Sequence, residues 1–151
     1  MLRNDLNEAM KQAMKAKDQR SLATIRLILA ALKDRDIQAR GSGNSEGIVD
    51  AEITEMLQKM VRQRRDAIEL YTQGGRQDLV DREDAEIQVI QRFLPKQMSD
   101  EEAARAIAET IDELEAASIK DMGRVMASLK ERYAGRMDFG KASGLVKQRL
   151  V

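Results

Sequence analysis

Six cations stand close together near the end of the chain: Lys130, Arg132, Arg136, Lys141, Lys147 and Arg149. They flank one turn and the ends of two helical segments. Basic side chains beside an exposed helix N-terminus, here around Asp138 to Lys141, suit an anion, because the unpaired amides there already favour negative charge. The alternative is a merely solvated basic face. Arg62, Arg64 and Arg65 form a second, denser basic run. Arg64 is its odd member: it lies four residues after Met60 and four before Ile68, and so falls on an apolar stripe, where an arginine must be paired or reach water with its tip. Two readings stay open for it, a salt bridge to Glu83 or Glu86 and a fork-shaped donor that holds phosphate or carboxylate. The carboxylates Asp81, Glu83, Asp84 and Glu86 could do acid–base work, or bind a hard divalent cation, if burial set their pKa values apart. They alternate with Arg82 and Gln88 around one helix, which predicts a solvated face instead.

The rest of the composition narrows the chemistry further. The 151 residues include no His, no Cys and no Trp. A Ser-His-Asp triad, a thiol nucleophile, a thiolate or imidazole zinc site and a disulfide framework are therefore excluded. No catalytic residue, metal or cofactor is assigned. Twenty-six basic side chains balance twenty-six acidic ones, and indiscriminate nucleic-acid binding needs a large excess of Lys and Arg. The balance is uneven along the chain, however. Residues 100–119 carry one basic and seven acidic side chains, and residues 120–151 carry eight basic and three acidic. Any contact with nucleic acid must be local. With only Tyr133 and Phe139 near the basic tail, it would work through shape and phosphates rather than base stacking.

The elements that position these groups are helical. Leu2, Leu6, Met10 and Met14 predict an amphipathic helix over residues 2–17. Asp18 or Ser21 can cap a second, whose broad stripe of Leu22, Ile25, Ile28, Leu29 and Leu32 runs to about Ala39. Gly41-Ser42-Gly43-Asn44-Ser45-Glu46-Gly47 breaks the periodicity and predicts a mobile linker. No strand precedes it and no Lys-Ser or Lys-Thr pair ends it, so it is not a phosphate loop. Asp50 is the expected cap of a third helix to about Gln73, stopped by Gly74-Gly75. A fourth, from about Asp78 to Phe93, ends before Pro95, the only proline.

Beyond Pro95-Lys96-Gln97-Met98, the expected boundary, Ser99 and Glu102 form a capping box for a helix to about Ala116. Ser118 and Asp121 suggest a second box, before a helix with Met122, Val125, Met126, Leu129 and Tyr133 inside and Gly135 as its left-handed terminator. Asp138 caps the last helix, with Ala142, Leu145, Val146 and Leu150 inside. No segment alternates with period two. The expected architecture is all-α: a four-helix N-terminal domain of two antiparallel hairpins, residues 1–95, and a compact three-helix C-terminal domain, residues 99–151. The methionines on these stripes are expected to be core filler.

Gly74-Gly75-Arg76-Gln77-Asp78-Leu79 together with Phe93-Leu94-Pro95, Met122-Gly123-Arg124-Val125-Met126 and the Gly135-Arg136 turn resemble the GatB/YqeY family over essentially the whole chain. The tail resembles the C-terminal domain of the amidotransferase B subunit, which makes glutaminyl- or asparaginyl-tRNA from its mischarged precursor. The match departs from that pattern at Met137-Asp138-Phe139-Gly140. In the B subunit this domain is a helical appendage that contacts the tRNA body, away from the chemistry, and the subunit's kinase-like catalytic module has no counterpart among these residues. The resemblance therefore implies a tRNA-binding accessory protein whose family label, carbon–nitrogen ligase activity with glutamine as amido donor, is inherited. A helical protein–protein adaptor without RNA contact is the competing expectation. tRNA and a protein are thus both expected partners; a membrane and a metal are not. The N-terminus lacks the apolar run of a secretory signal, which predicts a cytoplasmic protein.

Overall fold

A computed structural model describes all residues, Met1–Val151. It contains seven α-helices, one 3-10 turn and no strand, so the fold is all-α. The helices are α1 (Leu2–Lys15), α2 (Gln19–Gly41), α3 (Asp50–Gln73), α4 (Gln77–Gln91), α5 (Asp100–Glu113), α6 (Met122–Arg132) and α7 (Phe139–Leu150), with the 3-10 turn at Ile119–Asp121 before α6. The chain divides into two compact units, Met1–Leu94 and Pro95–Val151.

In the first unit α1 packs on α2 and α3 on α4, and α2 also packs on α4 and α3. The core is the periodic apolar set that the sequence offers: Leu6, Ile28, Leu32, Ile53, Met56, Leu57, Met60, Ile87 and Ile90 are buried together. The turn between α1 and α2 is closed by Lys17 at φ 55°, in the left-handed region, with the Asp18 amide donating to the Ala13 carbonyl across it at 3.0 Å. Asp18 then caps α2 by accepting from the Ser21 amide at 3.2 Å.

Two expectations are corrected here. Asp50 does not cap α3: it is the first residue of that helix, and Val49 at the cap position makes no side-chain bond. Its carboxylate accepts instead from the Leu2 amide at 3.4 Å, one of the donors a helix start leaves without an intrahelical partner. The expected mobile linker is fastened at its Gly47–Ile48 end, while residues 41–46 are exposed. Asp36 on α2 accepts from the Ile48 amide at 3.0 Å and forms a salt bridge with Arg3. Arg3 donates in turn to the Ile48 carbonyl at 2.9 Å. Gly47, at φ 88°, packs so closely here that an added Cβ would stand 2.5 Å from a carboxylate oxygen of Asp36. Glycine meets both demands at once, the left-handed angle and the absent side chain. Ile48 can then enter the core.

In the second unit α5, α6 and α7 pack pairwise around Ala106, Ile107, Val125, Leu129, Met137, Ala142, Val146 and Leu150. The Ser99–Glu102 capping box is formed, as is the Ser118–Asp121 box, which opens the 3-10 turn rather than α6 itself. Gly135 at φ 77° follows α6, and Asp138 accepts from the Gly140 and Lys141 amides. Leu145 is not inside: it is 37% exposed, because the buried line of α7 runs through Ala142, Val146 and Leu150 and leaves position 145 on its edge.

Candidate nucleic-acid interface

The second unit holds most of its acidic residues on α5 and most of its basic ones on α6 and α7, but it partly neutralises them. Arg132 on α6 is paired with Glu113 on α5 at 2.6 Å. Lys141 stands 3.6 Å from Asp100 at the start of α5. Arg136 donates through Nε to the Lys96 carbonyl at 3.4 Å, and its charge, with that of Lys96, reaches Glu102. The Glu102 carboxyl is held below its ordinary range mainly by hydrogen bonds from Ser99, with these two cations adding to the effect. Three of the six tail cations therefore sit in the field of the α5 carboxylates.

Lys130, Lys147 and Arg149 are exposed and form no salt bridge. They do not form one row. Lys147 and Arg149 are two positions apart on α7, hence about 200° apart around its axis, and the same holds for Lys130 and Arg132 on α6. The unit presents separate cations, with Lys147 and Arg149 flanking the buried line of α7 on opposite sides. Asp138 also occupies the amides at the start of α7, so that helix end is already capped.

The secondary candidates lie on α3. Arg64 is half-buried, and its Nε donates to Glu86 Oε2 on α4 at 2.8 Å while Nη1 donates to the Met60 carbonyl at 3.1 Å. These two donors serve the helix pair, so the expected salt bridge to Glu86 is formed. Arg62 and Arg65 are exposed on the same helix. The carboxylates of α4 do not all share one solvated face. Glu83 and Glu86, three apart, are half-buried beside Arg64, and the Glu83 carboxyl is pushed above its ordinary range by burial first and by the Glu86 charge second. Asp81 and Asp84 remain exposed. No group of three or more acidic side chains is gathered tightly enough to hold a metal ion.

One further feature comes from helices distant in sequence. A cleft of about 460 Å³ lies between α2 and α4, lined by Ala23, Thr24, Ala85 and Val89 and by the charged Arg20, Asp78, Asp81, Arg82 and Glu86. No motif announces it. Its only trace in the sequence is the run of apolar residues on both sides of α2.

The fold is that of an all-α protein of two helical units. The chain belongs to the Yqey-like protein family, whose family model matches residues 3–150. It is also similar to proteins named "Altered inheritance of mitochondria protein 41, mitochondrial". The relative from Eremothecium gossypii is 37% identical over 106 residues, 68% of this chain and 56% of the relative. That from Lachancea thermotolerans is 36% identical over 90 residues, 60% of this chain and 46% of the relative. That from Saccharomyces cerevisiae is 32% identical over 94 residues, 62% of this chain and 46% of the relative. The chain spans about half the length of the curated relatives it matches.

Those names overturn the cytoplasmic expectation, since the relatives are mitochondrial proteins by name. The inference failed because a missing apolar run speaks only to secretory signals, whereas mitochondrial transit segments are amphipathic and Arg-rich. No helix is long and apolar enough to cross a membrane.

Proposed function

We propose that this chain is a non-catalytic accessory protein of tRNA metabolism that meets RNA through its C-terminal unit. The reading rests on one observation: Lys130, Lys147 and Arg149 are exposed and lack carboxylate partners, on a domain that resembles the tRNA-contacting appendage of the amidotransferase B subunit. Arg136 and Lys141 are further cations of the same unit, partly offset by α5. Contacts of this kind position a folded RNA by its phosphates and carry little sequence information. On this reading the chain contributes binding, and any amidotransfer chemistry belongs to a partner.

Mobility shift with total tRNA across a salt series tests the reading. Three phosphate contacts give a log–log salt slope of roughly −2 to −3. Changing Lys130, Lys147 and Arg149 to Glu together should abolish the retarded species at low salt. No retardation by the unaltered chain, or equal retention of any RNA, refutes the specific form. The alternative, a protein adaptor without RNA contact, is favoured by the balance within each unit: sixteen basic and sixteen acidic side chains in Met1–Leu94, ten and ten in Pro95–Val151. Copurification with and without nuclease separates the two, because a partner lost on nuclease treatment was bridged by RNA.

A further inference from the structure

The second helix has two apolar faces, and only one of them is used. Ile25, Ile28 and Leu32 are buried in the first unit. On the opposite side Ala23, Leu27, Ala30, Asp34 and Ile37 are all exposed, Leu27 at 48% and Ile37 at 53%. Their spacings are four, three, four and three residues, the rhythm of a coiled-coil seam, in which each position meets a hole on a facing helix. Exposed apolar residues scattered singly need no explanation, but a straight line in this register does.

The two edges of the seam differ. Arg26, Lys33 and Arg40, seven residues apart, border one edge, and all three are exposed without a salt-bridge partner. Thr24, Ala31 and Gln38 border the other. These three carry no charge themselves, and at its Thr24 end this edge opens on the cleft between α2 and α4, whose wall on α4 combines Ala85 with Asp81, Arg82 and Glu86.

We propose that this seam docks an amphipathic helix of a partner protein whose apolar line is bordered by acidic residues. The cationic edge selects the sign of the partner, since flanking charges set partner choice in such pairs. Asp34 sets the register, because a carboxylate within the seam must meet a polar or basic side chain opposite it. A second copy of this chain is the wrong occupant. In an antiparallel pair the two cationic edges would face each other, and a parallel pair would bring Asp34 against its own counterpart. This surface lies on the first unit and is independent of the RNA reading.

The test uses the full chain and a labelled synthetic helix of about four heptads with Leu and Ile in its seam, one Lys at the seam position opposite Asp34, Glu on the border that faces the cationic edge and Gln on the other. Fluorescence anisotropy should show saturable binding, and the same peptide with Lys in place of the border Glu should bind about tenfold or more weakly. Replacing Leu27→Ser together with Ile37→Ser should weaken binding about a hundredfold. Replacing Arg26→Glu, Lys33→Glu and Arg40→Glu should invert the preference toward the Lys-bordered peptide. All five positions are exposed, so circular dichroism of both variants and melting of the Ser variant should match the parent chain, while the triple reversal should melt slightly lower because the Arg40 charge acts on Asp36. Equal affinity for the two peptides, no binding of either, or a preference that survives the triple reversal overturns the proposal. Two other results overturn it as well: retention of total tRNA in place of the peptide, dependent on the three cations alone, and a concentration-dependent dimer abolished by the Ser variants.

Discussion

Asp36→Ala should be among the most damaging single changes at a polar side chain of the first unit, and its magnitude can be worked from the contacts. The carboxylate accepts from the Ile48 amide at 3.0 Å and from two nitrogens of Arg3, with 16% of its side chain exposed and 35% of that of Arg3. Losing the bond to the amide removes about 1 kcal/mol, and a partly exposed bidentate pair is worth about 1 more. Arg3, left beside the Ile48 carbonyl without its counter-ion, adds a fraction of that. The total is about 2–3 kcal/mol, or roughly 10–20 °C in the melting temperature of a unit of this size. The assay is urea unfolding at pH 7 in a Tyr133→Phe background, which leaves Tyr71 as the only tyrosine and so as a reporter on the first unit alone. Arg3→Ala and the double variant complete a cycle whose coupling should be about 1 kcal/mol. The pH dependence follows. Arg3 hydrogen bonding holds the Asp36 carboxyl below its ordinary range, with the Ile48 amide adding to the shift. The stabilisation is therefore present above the unfolded carboxylate value and is lost as pH falls through the lower folded one. The stability gap between the parent chain and Asp36→Ala should close in acid. A loss below about 0.5 kcal/mol at pH 7, the level of an ordinary surface substitution, refutes the reasoning.

Further changes have directions that the structure fixes. Lys17 and Glu115 sit at φ 55° and 52°, so Lys17→Gly and Glu115→Gly should each stabilise by about 0.5–1 kcal/mol in urea unfolding despite the entropy of glycine, and a loss would refute the strain argument. Ser99→Ala removes the oxygen that accepts from the Glu102 amide at 3.1 Å and should lower stability by about 1 kcal/mol, read from melting of the second unit in a Tyr71→Phe background. Burial raises the Glu83 carboxyl, so the charged form opposes folding, and that opposition grows as pH rises through the unfolded value toward the folded one. Glu83→Gln should therefore stabilise at pH 7 and make no difference near pH 3; equal effects at both would show that the charge is not the cause.

Much of this architecture could be read along the chain because its signals are local. Ser99 with Glu102, Ser118 with Asp121, Asp138 before its two amides and Gly135 at its positive φ all act on residues at most three or four positions away. Their geometry follows once the helix forms, and the stripes of Leu6, Ile53, Leu57 and Ile107 needed only the 3.6-residue period. The pairings depended on how each helix is rotated about its axis and which neighbour it meets. Asp50 has the residue type of a cap, yet its carboxylate serves α1, because packing brings the Leu2 amide within reach. Arg64 had two possible acids, and the α3–α4 contact chose Glu86. The cations of the tail lie close in sequence, but two-residue steps send their side chains to opposite sides of α6 and α7, and α5 supplies partners for Arg132 and Lys141. Sequence sets backbone conformation through short-range sterics and hydrogen bonds. The meeting of charges and the face of α2 left in water are tertiary outcomes, because they turn on distances between segments tens of residues apart.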